Sequence, residues 1–413
     1  MPSVRPRAPA APVAKVLVMV LERSRIFPAR LLGAALTLLA ASCGSGGDGV
    51  NAAPIVQADG GAEAGPSVGT MPCTVNTGFP GDNQCIQVPP ADKGYQFHYG
   101  PSNYADAAEM AKYTLQPNEE TTDCVFFKTQ NDADLYFNEY HSRLRPGSHH
   151  MLLYIQSTQV ADGGPGPCNQ VLSRNLFGAT SPTMDVTNDS NAPENDGMAS
   201  RIPPHQQVVM QMHVINTGSK PILREGWANI VFTDKANVKT IADPIFFLAG
   251  VAMSVQPGQT VTNHGTATVP NNAAPDFRLA VAIPHYHAHT TRFTAYKVTG
   301  GVKTPILEQY GTLGVAGDPE LVHFDSVTKN NPIDTSKGVP GAYSGDVYLK
   351  PGDQIQWECV QTNDGKGING APLTTPLQFT EQAYTGEMCN LFGMYAPSLD
   401  PTGDGTWKSL VNP

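Results

Sequence analysis

The sequence predicts an all-β protein built from tandem antiparallel β-sandwich or jelly-roll domains. Forty glycines and 36 prolines break the 413-residue chain into short runs. Between them lie segments that alternate apolar and polar residues or are rich in β-branched and aromatic types, and few stretches keep a 3.6-residue apolar period. About 340 residues follow the N-terminal segments, more than one core usually serves, so two domains are expected, 73–238 and 239–413.

Residues 1–42 read as a signal peptide. Arg5, Arg7, Lys15, Arg23, Arg25 and Arg30 make a positive region, and Leu31–Ala41 is a short apolar run ending at Ser42-Cys43. Such a run is too short to span a hydrocarbon core, which takes roughly 20 residues. Ala40, Ala41 and Ser42 before Cys43 resemble a lipobox and make Cys43 the expected lipid anchor, although Leu39 stands one place early. Removal of residues 1–42 takes away six basic residues and one acid, moving the formal charge from −10 to −15. Nucleic acid is therefore excluded as a partner, because phosphate binding needs surplus Lys and Arg. Residues 43–72, rich in Gly, Ala and small polar residues, read as a flexible tether.

The expected strands, in order, are Met151–Gln156, Gln206–Ile215, Ala228–Phe232, Pro244–Ala249, Phe277–Ile283, Arg292–Val298 and Asp353–Val360, with one helix at Tyr104–Leu115. Seven cysteines are present. With Cys43 lipidated, six remain in an exported chain: Cys73, Cys85, Cys124, Cys168, Cys359 and Cys389. An even number outside the cytoplasm reads as disulfides, for which neighbours in sequence are favoured: Cys73–Cys85, Cys124–Cys168 and Cys359–Cys389. No Cys-x-x-Cys pair supports a metal thiolate site.

The chemistry-bearing residues are histidines. Six of eleven fall into compact groups: His149-His150, the strand residue His213, and His285-Tyr286-His287-Ala288-His289. Alternate residues share a strand face, so His285 and His287 can converge on one ion, and His287 with His289 would serve equally well. His149 and His150 can do so only at a bend or bulge, and Pro146-Gly147 supplies the break. His98, His141, His205, His264 and His323, each without such company, read as ordinary packed or hydrogen-bonded residues.

Four strings, in order, are Arg145-Pro-Gly-Ser-His-His-Met-Leu-Leu-Tyr154, Gln211-Met-His213, Pro284-His-Tyr-His287 and Glu387-Met-Cys-Asn-Leu-Phe-Gly-Met-Tyr395. From about Cys124 to Tyr395 the chain thereby resembles the copper type II, ascorbate-dependent monooxygenases. The resemblance implies two jelly-roll domains facing across a solvent-filled cleft, each holding one of two coppers. His149, His150 and His213 would bind the electron-storing copper, and His285, His287 and Met388 the O2-activating one. It implies a copper-dependent monooxygenase that hydroxylates a C–H bond of a small organic substrate with O2 and an external electron donor such as ascorbate. It also implies catalytic roles for Met388, His285 and His287, and disulfides pairing Cys124 with Cys168 and Cys359 with Cys389. A thioether favours Cu(I) and is foreign to zinc sites, which agrees with that metal. Gln211, Asn390 and His289 are candidates for supporting or cleft residues.

The peptide-hydroxylating members carry an arginine where Ile283 stands and a tyrosine where Phe392 stands, so a peptide carboxylate is disfavoured as substrate. The competing expectation is a non-catalytic copper protein of the cell envelope, for storage, delivery or electron transfer. Either way the expected location is the cell envelope, lipid-anchored or secreted, with membrane contact through the anchor alone.

Overall fold

The computed structural model describes residues 68–156, 159–168, 174–179, 182–187, 196–309, 343–368 and 370–411. The expected signal peptide, most of the tether, the anchor Cys43 and His323 lie outside the described residues. The described chain is all-β apart from one short helix, Ala107–Tyr113, and two 3-10 turns. Asp106 caps that helix by accepting from the Ala108 and Glu109 amides. Among the described residues no helix is long and apolar enough to cross a membrane.

Two sandwiches follow each other. In the first, a five-stranded sheet (Gly163–Gly166, Glu120–Lys128, Gln207–Ile215, Ser148–Gln156, Arg174–Ala179, in spatial order) packs on a sheet containing Gly94–Tyr99, Gly226–Phe232, Leu135–Leu144, Met198–Ile202 and Thr240–Ile241. The shared core includes Phe137, Tyr140, Leu153, Val208, Met210, Met212 and Ile230. In the second, the sheet Tyr343–Tyr348, Arg278–His285, Cys389–Ala396, Asp243–Ala249, Trp407–Val411 packs on Thr260–Thr268, Gln354–Thr362, Thr290–Thr299, Val302–Gln309. Phe247, Phe293, Leu307, Ile355, Trp357 and Tyr395 fill that core.

The sequence logic is plainest in Gln354–Thr362, where Ile355, Trp357, Cys359 and Gln361 alternate inward against half-buried neighbours. Gly265 faces Trp357 across the pair; a β-carbon there would stand 2.1 Å from the indole, so only glycine fits. All three disulfides form as the spacing suggested, Cys73–Cys85, Cys124–Cys168 and Cys359–Cys389. Three such bonds mark an extracytoplasmic protein.

Two boundaries move. Thr240–Ile241 pairs with Met198–Ile202, so the first sandwich runs past residue 238. The end of the expected tether is already docked: the Gly69 carbonyl accepts from Asn229 Nδ2, and Pro72 bridges to Ile86.

The halves also share an apolar seam. Ala280, Val281, Met394 and Ala396 of the second sandwich join the first core, and Tyr140 Oη donates to Met394 Sδ at 3.7 Å. Arg174 pairs with Asp243 across the same seam, both buried. Around the histidines the solvent-filled separation implied by the resemblance is thus replaced by contact, and the cleft survives as a pocket at one side.

Candidate metal centre

His149, His150 and His213 meet because of a bulge. In the pairing of Gln207–Ile215 with Ser148–Gln156, His213 stands opposite His150 and Val214 opposite Ser148, which makes His149 the extra residue. A regular strand would send adjacent histidines to opposite faces; the bulge turns both toward His213. Arg145, wholly buried, anchors the entry to this strand through Glu225 at 2.6 Å and Asp82 at 2.8 Å. Gly147 takes φ 92°, and a β-carbon there would meet Ile222 at 2.3 Å. Met151, Leu153 and Ile155 fill the core on one side of the strand, which leaves Leu152 and Tyr154 to the other.

His285 ends the strand Arg278–His285, opposite Asn390. His287 lies in the turn beyond it, shaped by one buried carboxylate. Glu387 accepts from the His287 and Met388 amides at 3.1 and 3.0 Å, from the His289 amide at 2.7 Å, from Thr290 Oγ1 at 2.9 Å and from Gln361 Nε2 at 3.0 Å. One side chain so sets the backbone of the His-x-His turn and of Met388 together. Burial pushes the Glu387 carboxyl up to about 7, against the pull of those donors.

The two histidine sets, expected at separate centres, form one cluster. The His149 ring lies 5.3 Å from His150, 4.7 Å from His213, 5.5 Å from His285 and 4.8 Å from His287, centroid to centroid. His150 and His285 are 5.0 Å apart, His213 and His287 6.3 Å. The reason is the apolar seam, which draws the two histidine-bearing strands together. All five rings are buried, none more than 2% exposed.

Burial first, and neighbouring imidazoles second, hold His149 and His285 far below the usual histidine value. His150, His213 and His287 fall to about 3, chiefly through burial. The rings are neutral, as ligands must be. Their outer nitrogens are committed: His150 Nε2 donates to Gln211 Oε1 at 3.2 Å, His213 Nε2 to Glu120 Oε1 at 2.6 Å and His287 Nδ1 to the Gly386 carbonyl at 3.2 Å. That leaves His150 Nδ1, His213 Nδ1 and His287 Nε2 buried without a hydrogen-bond partner. Buried polar atoms are rarely left so, and unpartnered ring nitrogens in a histidine cluster suit metal binding. Candidate ligand nitrogens of His149, His150 and His285 all lie within 4.8 Å of one another.

Beside the cluster, His150, His285 and Met388 open onto a pocket of about 270 Å³. Leu152, Phe246, Leu248, Phe379 and Phe392 give it apolar walls, with Gln211, Asn390 and Glu381 as its polar groups. Asn390 Nδ2 donates to Met388 Sδ at 3.2 Å and holds the thioether. Phe392 is part of the pocket wall, whereas Ile283 is not, and among the described residues no arginine or lysine lines the pocket. Glu381 is solvent-exposed on one side, yet the surrounding walls raise its carboxyl.

His289 does not join. It is buried, its amide is held by Glu387, and its ring contacts none of the five among the described residues. His285, not His289, is thus the ring that stands beside His149 and His150. His98 bonds Glu225 and stacks on Trp227, His141 sits between Asp185 and Glu139, and His205 pairs with Asp132. Glu120, Glu381 and the organising role of Glu387 carry no local sequence signal: single carboxylates become informative only once their partners are known.

No protein-family model matches the chain, and neither does any curated protein sequence. Among solved structures, N-glycanase F (PNGase F) is similar at a TM-score of 0.30 and 10% identity, over 73% of this chain and 94% of that one. Infectious bursal disease virus, Gt strain, matches at 0.16 and 10%, over 78% and 76%. Likenesses this low define neither a shared fold nor a shared activity.

Proposed function

We propose that the chain is a copper-dependent monooxygenase of the cell envelope that hydroxylates a C–H bond of a small organic substrate, using O2 and an external electron donor such as ascorbate. One observation carries the reading: five neutral imidazoles form one buried cluster, and two of them, His150 and His285, line a pocket with apolar walls together with the Met388 thioether. Soft sulfur beside imidazole favours copper over zinc. Copper, once bound, would supply one-electron redox chemistry and O2 activation. The protein's part is to fix the ligands through Gln211, Glu120 and Gly386, to hold Met388 through Asn390, and to seat the substrate against Phe246, Phe379 and Phe392. The reading takes two coppers per chain, as in the enzymes the sequence resembles.

The second reading, a non-catalytic copper-binding protein for storage, delivery or electron transfer, draws support from the near-complete burial of all five imidazoles. Oxygen uptake separates the two. Copper-loaded protein with ascorbate should consume O2 in proportion to one substrate from a panel of amines, peptides and aromatic compounds. Tight copper with no substrate-linked uptake would decide for the second reading.

Attachment through Cys43 belongs to the same proposal, with the lipid as the only membrane contact. A diacylglyceryl mass increment on Cys43 in envelope material is its test, and an unmodified mature N-terminus would dismiss it.

A further inference from the structure

We infer that His149 and His150 of the first sandwich and His285 of the second bind one ion jointly, so that a single metal joins the halves. The copper reading above supplies only the ion's identity; the grouping of ligands comes from geometry. Splitting the donors by sandwich would set His149 and His150 with His213. The nitrogens that come within 4.8 Å of one another are instead those of His149, His150 and His285. The His150 and His285 rings are 5.0 Å apart across the seam, the same centroid spacing as His150 and His213 within one sheet.

The approach is held from several sides. Tyr140 meets Met394, Arg174 meets Asp243, and Tyr384 Oη donates to the Asn216 carbonyl at 3.0 Å, all between the halves. Ile215 packs with Ala288, Ile368 and Ala383 beside the cluster. His285 is thereby delivered to the first sandwich's pair by the fold rather than by its own side-chain freedom. An ion there would draw ligands from both sandwiches, and its binding energy would add to the contact between them.

The test uses the full chain stripped of metal and titrated with Cu(II), reading affinity by calorimetry, ligand field by electron paramagnetic resonance, and thermal unfolding. His285→Gln is the decisive variant, and His264→Gln, on an exposed strand position, is the control. The first equivalent of copper should bind His285→Gln at least ten-fold more weakly, with altered hyperfine structure and a smaller copper-induced rise in Tm, while His264→Gln matches the parent. Should His285→Gln misfold, His285→Asn and the resonance spectrum of the parent at half an equivalent of copper, compared with that of His149→Gln, report the same point. First-equivalent binding and spectrum unchanged in the His285 variants would overturn the joint site and leave the proposed activity standing. Absence of copper binding in the parent would remove both.

Discussion

Glu120 Oε1 lies 2.6 Å from His213 Nε2, and the same carboxylate accepts the Ala383 amide at 2.5 Å and the Tyr384 amide at 3.3 Å from the other sandwich. One half-buried side chain so orients a candidate ligand and ties down the loop that leads to Met388.

Its loss should be felt twice. Glu120→Ala leaves His213 and two amides without their acceptor, which costs about 1–3 kcal/mol for each group left buried and unpaired. Removing the partner of a ligating histidine also weakens metal affinity by roughly 10–100-fold. Glu120→Gln keeps an acceptor and should fall between. Urea unfolding and copper titration check both, and an unchanged affinity in Glu120→Ala would dismiss the orienting role.

Acid should destabilise the metal-free protein. Burial sets His150, His213 and His287 at about 3 in the folded state, whereas an unfolded histidine titrates near ~6.5. The unfolded chain therefore binds more protons between those values, and stability is lost as pH falls through that window. Each of the three contributes up to about 1.4 kcal/mol per pH unit. Urea midpoints measured from pH 7 down to 4 should decline steadily without metal; copper bound to the folded rings should raise the midpoint but leave the decline no shallower, since those rings carry almost no protons for it to displace in this window. A flat metal-free profile would contradict neutral, buried rings.

Met388→Leu keeps volume and removes sulfur. At a buried position this swap costs less than about 1.5 kcal/mol, so folding should survive. Copper should still reach the histidines, and substrate-linked O2 uptake should fall to background. Turnover retained by the leucine variant would show that the thioether is not needed.

Glu381 brings the pocket its carboxylate, and among the described residues no arginine or lysine lines the walls. Cationic molecules should therefore bind better than anionic ones of the same shape. Glu381→Gln should raise KM for an amine by about 10-fold or more, in line with the roughly 1.5–3 kcal/mol of a hydrogen bond to a charged group, while a neutral aromatic compound is unaffected. Equal losses for both would point to a structural role instead.

How far the residues alone could lead differs between fold and site. Alternation in Gln354–Thr362 and the apolar runs at Met151–Gln156 and Gln207–Ile215 announce strands directly, because a side chain's face follows from its place in the pleat. Cysteine spacing announces the disulfides for a related reason, since short loops close at low entropic cost. The histidine strings announce donors, and Pro146-Gly147 even announces the irregularity that lets His149 and His150 share a face.

What the sequence determined by itself was therefore local: strand faces, cysteine partners and which histidines could serve as donors. Only the tertiary structure decided that the two histidine sets stand in one buried cluster, that His289 is left aside and that Glu120 and Glu387 hold the candidate ligands. The physical reason is distance along the chain. His150 and His285 meet because an apolar seam closes between two sandwiches, and the free energy of that closure is spread over many residues, none of which carries it alone.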